Sequence, residues 1–184
     1  MYLARFVVNA PEWRQAFQKR DAGTPQLPVG CLKSFMPTDS EVDHISTYQL
    51  TDLNDYMTLS AAFWLVTKGT FAIVAAPERD VSAKFTLKNT LGQTDYDVIN
   101  SLHRDIKTPR AEDPLALASL FLSHGSLITI DPSEIRDRVA NDNAAGLVDL
   151  YKLAKAAKGQ RPTRIVELVG FRSVELKPAS LKSS

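Results

Sequence analysis

Alternating side chains at the start of the chain predict a first β-strand. Every second position there is apolar: Tyr2, Ala4, Phe6 and Val8. A period of two places these side chains on one face of a strand. Further short apolar or alternating segments predict strands over residues 31–36, 44–50, 71–75 and 83–88. Because a turn-rich stretch joins the segments 31–36 and 44–50, we expect these two to form an antiparallel hairpin.

Helical spacing and capping residues predict three helices between and after these strands. Trp13 and Phe17 lie one turn apart, on one side of a short helix that Pro11 begins. Asp52 and Asp55 have the spacing of a helix cap, which places carboxylates beside the free N–H groups of the first turn. The predicted helices cover residues 11–23, 52–68 and 94–107.

A break in the pattern at residues 108–114 predicts a domain boundary. The segment contains two prolines and three charged side chains and almost no apolar content, which is typical of a connection between domains. We therefore expect two domains, residues 1–108 and residues 109–184.

The second half begins with a strong helix signal. Asp131 is a predicted N-cap, followed by Pro132 at the first helical position and Glu134 at the third. This helix should falter around residues 141–143. The other elements predicted in this half are a helix over residues 115–122, a strand over 126–130, a helix over 143–158, and a β-hairpin from 164–169 and 171–177.

The element order of residues 114–177 resembles the winged helix-turn-helix family, over about a third of the chain and without a signature motif. The resemblance implies that the helix over 143–158 occupies the recognition position, and that Arg161, Arg164 and Arg172 lie in or beside the wing. The front of that helix carries only small side chains, which cannot read base edges. The resemblance therefore implies contacts to phosphates, or a role in protein interactions, rather than sequence readout.

The first 76 residues resemble the ferredoxin-like fold, because the predicted order is strand, helix, strand, strand, helix, strand. The resemblance implies an antiparallel sheet with two helices, and it indicates architecture only, since that fold carries many functions. The predicted fold class is therefore α+β. A ferredoxin-like sheet domain is followed by a winged-helix-like part that ends in a β-hairpin.

Composition and charge exclude several classes of protein. With 44% apolar and 23% charged residues among 184, the chain is close to an average globular domain, which excludes disorder throughout. The balance of 22 Lys and Arg against 21 Asp and Glu excludes a strongly basic protein that coats nucleic acid. A single cysteine, Cys31, favours a cytoplasmic location, and the lack of a long apolar segment predicts no association with membranes.

Positive charge is nevertheless concentrated at the C-terminal end. Residues 149–184 contain eight Lys and Arg against three Asp and Glu, so this part carries a surplus of five positive charges. A spacing of three along a helix spreads cations over a broad stripe that can meet phosphates. A solvated helix face is the alternative explanation. The candidate nucleic-acid-binding residues are Lys152, Lys155, Lys158, Arg161, Arg164 and Arg172.

The sequence predicts neither a cofactor nor a metal site. The glycine motifs that cradle phosphates are absent. One turn contains side chains of the types that bind metal ions, but without a recognised loop spacing, and a solvated acidic turn is the better interpretation. These residues are Asp39, Glu41, Asp43 and His44.

No catalytic group is predicted either. In the proposed hairpin Cys31 and His44 lie too far apart to form a thiol–imidazole dyad, so Cys31 is expected to be a small buried residue. His103 and His124 are expected at helix caps or on the surface.

The aromatic side chains Tyr48, Tyr56 and Trp64 could line a ligand pocket or a partner surface, although such groups usually form core packing. The leading hypothesis is a non-catalytic binding or regulatory subunit. It would act through contacts with a protein partner or a second copy of itself, and through DNA or RNA phosphates. The alternative is a small α+β enzyme or ligand-binding domain with an aromatic-lined pocket near Tyr48, Trp64 and His44. Convergence of His44 and Tyr48 with another titratable group in a pocket would favour this alternative.

Overall fold

The protein is an α+β chain built on one antiparallel sheet. The computed structural model describes residues 1–7, 9–37, 43–66, 72–90 and 97–146. Within them the strands are β1 (Tyr2–Val7), β2 (His44–Leu50), β3 (Ala72–Pro77), β4 (Leu87–Asn89), β5 (His103–Lys107) and β6 (Ser126–Thr129). The α-helices are α1 (Ala10–Asp21), α2 (Val29–Lys33), α3 (Tyr56–Val66), α4 (Glu78–Ser82), α5 (Asp113–His124) and α6 (Pro132–Ala144). Two 3-10 helices cover Leu53–Asp55 and Asp97–Leu102.

The strand order across the sheet is β4-β5-β2-β1-β3-β6, with every neighbouring pair antiparallel. Helix α3 connects β2 to β3, and both of these strands are antiparallel to β1, which lies between them. The centre of the sheet is therefore a split βαβ unit.

Strand β3 is buried on both faces of the sheet. Its residues from Ala72 to Ala76 are all at most 1% exposed, and alternate side chains enter two separate cores. Val74 belongs to one core and Ile73 to the other. Helices therefore cover both faces, which is uncommon for an antiparallel sheet.

Aromatic rings form the centre of the first core, which lies between the sheet and helices α1, α2 and α5. The ring centroids of Trp13 and Phe35 are 5.9 Å apart, and those of Phe35 and Phe121 are 4.9 Å apart. All three side chains are fully buried. The second core lies on the opposite face, under α3 and α6, and includes Leu59 and Ile135.

Two arginines satisfy backbone carbonyls beside the first core. Arg5 donates hydrogen bonds to the carbonyl oxygens of Ser34 and Ser46. Arg20 on α1 donates to the carbonyl oxygens of Leu122, at 3.0 Å, and Gly125, at 2.7 Å. The carbonyls at the end of α5 lack partners within the helix, so Arg20 ties that end to α1.

The predicted strand over residues 31–36 is wrong, because this segment contains helix α2. Cys31 and Phe35 are both fully buried and four residues apart, a spacing that suits a helical turn as well as a short apolar strand. Pro28 precedes the helix as its N-cap residue. The hairpin with residues 44–50 therefore does not form.

The predicted helix over residues 94–107 is also wrong. A 3-10 helix covers Asp97–Leu102, and β5 follows, paired with both β2 and β4. Ile99 and Ile106 are buried as expected, but they lie in different cores. Pairing with two neighbouring strands outweighs the helical propensity of this segment. The strand predicted over 83–88 is reduced to β4, because the chain turns after α4, with the backbone N–H groups of Lys84 and Phe85 bonded to the carbonyl oxygen of Val81.

Of the elements predicted after the break, the first helix, the strand and the start of the second helix are confirmed. Helix α5 and strand β6 form, and Asp131 caps α6 by accepting from the backbone N–H of Ser133 at 2.8 Å. The expected interruption at residues 141–143 is wrong, because α6 continues to Ala144. The carboxylate of Asp142 accepts from Arg138 one turn earlier, at 2.8 Å, which supports this last turn.

The segment predicted as a domain boundary contacts the helix that follows it. The guanidinium of Arg110 donates to the carboxylate of Asp113 at 2.7 Å, and this holds the pKa of the buried Asp113 carboxyl below its usual value. Strand β6, from the second predicted domain, pairs with β3 of the first. The division at residue 108 stays a prediction, and the helix and hairpin expected over residues 147–177 lie outside the described residues.

None of the helices in the described ranges combines the length and the apolar character that a membrane crossing requires.

Replacing Gly125 with alanine should destabilise the protein by about 2 kcal/mol or more. A Cβ atom there would lie 2.3 Å from the carbonyl oxygen of Phe121 and 2.7 Å from that of Ala75, and these backbone atoms cannot rotate away. Chemical denaturation measures the free energy of unfolding. The control is Gly23→Ala, where a φ of 76° would strain an alanine but no atom lies within 4 Å of the added Cβ. Its expected cost is about 1 kcal/mol. A loss at Gly125 no larger than in the control would contradict the steric explanation.

Candidate functional site

Strands β2 and β5 place polar side chains next to each other on one face of the sheet. The register pairs Ser46 with Asp105 and Tyr48 with His103. Because side chains alternate along a strand, His44 at the start of β2 lies on this same face. We refer to His44, Ser46, His103 and Asp105 together as the imidazole–carboxylate cluster.

Asp105 lies at the centre of the cluster. Its Oδ1 atom accepts a hydrogen bond from the hydroxyl of Ser46 at 3.3 Å. The same oxygen is 3.9 Å from Nε2 of His44 and 3.8 Å from Nε2 of His103. The Asp105 side chain is only 12% exposed, so water cannot surround it and its neighbours are the groups that compensate its charge. Two imidazoles therefore share one carboxylate.

Residues from β5, β2 and the end of β4 fix the position of the His103 ring. The ring is part of β5, and its edge faces Tyr48 of β2 at a centroid distance of 5.5 Å. The hydroxyl of Thr90, which follows β4, lies 2.8 Å from His103 Nδ1. With Nδ1 bonded to Thr90, the second ring nitrogen is directed at Asp105, so the ring orientation is fixed.

His44 lies between two carboxylates. Its Nδ1 atom is 3.1 Å from Oδ1 of Asp43, while its Nε2 atom faces Asp105 on the other side of the ring. The Lys107 ammonium bonds the other oxygen of Asp43 at 2.6 Å. Hydrogen bonds from Lys107 and then from His44 lower the pKa of the Asp43 carboxyl from 3.8 to about 2. When protonated, His44 pairs with both carboxylates.

The cluster contains the groups that proton transfer requires. An imidazole can donate or accept a proton near neutral pH. A carboxylate that faces an imidazole orients the ring and stabilises its charged form. Because one carboxylate serves two imidazoles, a proton gained by one ring changes the field at the other. Side chains of these types are the ones that transfer protons to or from polar ligands.

The structure brings only some of the predicted aromatic residues to this face. Tyr48 is 8% exposed and packs against His103. Tyr56, at the start of α3, is half-buried and packs against the second core. The side chain of Trp64 lies outside the described part of the chain. His44, Tyr48 and a further titratable group, Asp105, lie on one face of the sheet, while the aromatic-lined pocket of the alternative hypothesis stays a prediction.

The predicted nucleic-acid-binding residues cannot be compared with the site, because they lie outside the described residues. They are Lys152, Lys155, Lys158, Arg161, Arg164 and Arg172. Asp39 and Glu41 of the acidic turn also lie outside them. Over the described ranges, no group of three or more His, Cys, Asp or Glu side chains is arranged to hold a metal ion.

Cys31 is confirmed as a buried residue. It is fully inaccessible in the first core, and burial, with a smaller contribution from Glu12, raises the pKa of its thiol from 9.0 to about 12. His124 is confirmed at the end of α5, half-exposed and 3.6 Å from Asp80. The expectation of a cap or surface position for His103 is wrong, because it lies within β5.

Sequence reasoning missed His103, Ser46 and Asp105 as partners. The helix predicted over residues 94–107 separated His103 from Asp105 around a helical surface, whereas a strand places them on one face. The alternation of polar and apolar side chains around Ile106 was the sequence signal for a strand. A segment of five residues with a single strongly apolar side chain is too short and polar for that signal to dominate.

Replacing Lys107 with alanine should raise the pKa of Asp43 from about 2 toward 3.8, because the ammonium contributes most to stabilising that carboxylate. A carboxylate whose pKa is lowered by folding stabilises the fold above its unfolded-state pKa. That contribution is present above pH 3.8 and is lost as the pH falls toward 2. The side-chain carbon chemical shift of Asp43 in an acid titration measures the pKa. The exposed Lys84→Ala serves as the control, and an unchanged Asp43 titration in the Lys107 variant would refute the assignment.

Comparison with known proteins gives no relative from which a role could be transferred. The chain matches no protein-family model, no curated protein and no solved structure.

Proposed function

We propose that the protein is a small α+β enzyme or ligand-binding domain that uses the imidazole–carboxylate cluster to bind a polar small molecule and exchange protons with it. One observation carries this proposal. Nε2 atoms of two histidines, from two strands, lie within 4 Å of a single carboxylate that is 12% exposed.

The shielding of these groups supports a functional use of the cluster. Side chains of the three titratable residues are between 12% and 24% exposed, so they are neither solvated surface groups nor fully buried. Burying charged and polar side chains against a sheet is costly unless they are well paired. Distances of 3.8 and 3.9 Å between the imidazoles and Asp105 exceed hydrogen-bond length. With respect to the described residues, the Nε2 atoms therefore retain hydrogen-bonding capacity toward a ligand.

Each residue has a distinct role in this proposal. Asp105 orients both rings. His103, whose ring is held by Thr90 and Tyr48, is the more rigid donor or acceptor. Nδ1 of His44 lies beside the carboxylate of Asp43. His44 is more exposed than His103, so it is placed to exchange protons with solvent.

A thermal-shift screen of small polar molecules tests the proposal. Some compounds should raise the Tm of the wild type, because a ligand that binds only the folded state stabilises it by mass action. The same compounds should lose their effect on Asp105→Asn and on His103→Gln. The glutamine keeps a hydrogen-bonding side chain but cannot act as an acid or base at neutral pH.

His124→Ala is the matched control, since His124 is half-exposed and pairs with Asp80 rather than with the cluster. Compounds that stabilise the wild type and this control, but neither cluster variant, support the proposal. If no compound depends on the cluster, or if every effective compound stabilises all four proteins equally, the proposal is overturned.

We propose, as a second function, that the C-terminal end binds an anionic partner such as the phosphates of DNA or RNA, or an acidic protein surface, in the cytoplasm. The surplus of five positive charges in residues 149–184 supports this proposal, since neutralised phosphates release counterions on binding. The candidate contacts are Lys152, Lys155, Lys158, Arg161, Arg164 and Arg172. Such binding would make the protein a regulatory or interaction subunit.

Binding to duplex and single-stranded probes across a salt series tests this second function. Affinity should fall steeply with salt, with a logarithmic slope of about −0.9 per phosphate contact on duplex DNA. A variant with Lys152, Lys155 and Lys158 changed to Gln should bind more weakly and with a shallower slope. The control removes the same charge from exposed Arg14, Lys33 and Lys84. Equal loss in both variants, or binding that does not depend on salt, would contradict a localised basic site.

We also propose that the two fold resemblances hold in part. The split βαβ arrangement of β2, α3 and β3 around β1 supports a ferredoxin-like core. The order α5, β6, α6 supports the first three elements of a winged-helix-like part. Neither resemblance identifies a ligand.

A further inference from the structure

A cavity of about 460 Å³ lies at the end of the sheet where β1 begins and β3 ends. Its lining residues are Met1, Tyr2, Pro77, Glu78, Arg79 and Ser82. We refer to this cavity as the β1–α4 cavity. Its volume falls within the range typical of small-molecule sites. None of its lining residues belongs to the imidazole–carboxylate cluster.

The Glu78 carboxylate in this cavity is held in place by a chain of hydrogen bonds. Its Oε2 atom accepts from Nε2 of Gln49 at 2.6 Å. The amide oxygen of Gln49 accepts in turn from the Arg104 guanidinium at 2.7 Å. Arginine can only donate, so the Gln49 amide has a single orientation and must direct its NH₂ group toward Glu78. The carboxylate is therefore positioned before any ligand arrives.

The charge of Glu78 has no direct ionic partner within the described residues. Gln49 separates it from Arg104, and its second oxygen receives no hydrogen bond from that part of the chain. The cation of Arg79, which also lines the cavity, is 87% exposed and lies 3.6 Å from the carboxylate of Asp80. Within the described residues, the cavity therefore presents one carboxylate with a free acceptor oxygen, beside the Arg79 cation that pairs with Asp80.

The remaining walls favour a ligand with an apolar part. Met1 and Pro77 provide a thioether and a pyrrolidine ring, whereas the Tyr2 side chain packs against the second core. Thioethers adapt to irregular apolar shapes. A carboxylate acceptor surrounded by such walls suits a protonated amine that carries an alkyl or aryl group.

We propose that the β1–α4 cavity is a binding site for a small organic ammonium ion, in which Glu78 accepts a hydrogen bond from the ammonium group. Gln49 is the positioning residue, since it directs the carboxylate without touching the ligand. This site is independent of the imidazole–carboxylate cluster, which lies at other side chains of β2 and β5.

Titration of the intact protein with benzylamine, followed by NMR chemical shifts, tests the proposal. Benzylamine should bind saturably and shift the resonances of Tyr2, Glu78 and Ser82. Benzyl alcohol, its neutral analogue of similar shape, should bind about tenfold more weakly or worse, since its hydroxyl can still donate to the carboxylate but carries no charge to pair with it. Glu78→Gln should weaken benzylamine binding by a similar factor while leaving benzyl alcohol unaffected.

Two further variants complete the experiment. Glu134→Gln, at an exposed glutamate on α6, is the matched control and should bind benzylamine as the wild type does. Ser82→Tyr fills the cavity from an exposed position and should abolish binding while leaving the carboxylate in place. If benzylamine does not bind the wild type saturably, the proposal is overturned. Equal binding of the amine and the alcohol, or unchanged benzylamine affinity in either Glu78→Gln or Ser82→Tyr, also overturns it.

Discussion

The two-sided burial of β3 is the constraint on which the rest of the structure depends. A strand whose residues from Ala72 to Ala76 are all inaccessible requires apolar elements on both faces of the sheet. Helix α1 with α5 provides one cover, and α3 with α6 provides the other. Each cover comes from distant parts of the chain, so both cores depend on the pairing of β3 with β1 and β6.

That constraint also determines where polar side chains can lie. At β3 the sheet is dry on both faces, and an unpaired polar group there would be costly. Strand β5, which β2 and β1 separate from β3, exchanges hydrogen bonds with β2 and β4 and carries polar residues on alternate positions. Asp105 and His103 therefore meet His44 at a margin of the second core. Low exposure strengthens electrostatic interactions there without removing all contact with solvent. The two cores and the imidazole–carboxylate cluster therefore both follow from the pairing register of the same sheet.

Sequence patterns predict the elements with a clear period or a strong cap. Strand β1 follows from strict alternation, and α6 follows from Asp131, Pro132 and Glu134. The same methods fail at α2 and β5. Cys31 and Phe35 are spaced for a helix, yet they sit in an apolar run short enough to be a strand. Strand β5 has few apolar side chains, and its identity depends on pairing with β2 and β4, which local pattern does not contain.

The failure at β5 explains why the candidate site could be predicted only in part. His44 and Tyr48 are identifiable from β2 alone, because that strand has a recognisable apolar pattern. Their partners His103 and Asp105 become visible only once residues 103–107 are known to be extended. Long-range strand pairing brings together residues about 60 positions apart, as the separation of 59 between Ser46 and Asp105 shows. Hydrophobic periodicity reports only on residues close in sequence, so it cannot indicate a pairing over that separation.

The central claim is that Asp105 joins two histidines into one functional group. The most direct measurement is the imidazole nitrogen and proton spectrum of the protein labelled with ¹⁵N histidine, compared between wild type and Asp105→Asn. The shared carboxylate predicts that the side-chain resonances of His44 and His103 both shift, while those of His124, beside Asp80, remain unchanged. A spectrum in which only one of the two histidines shifts, or in which neither does, would contradict the account.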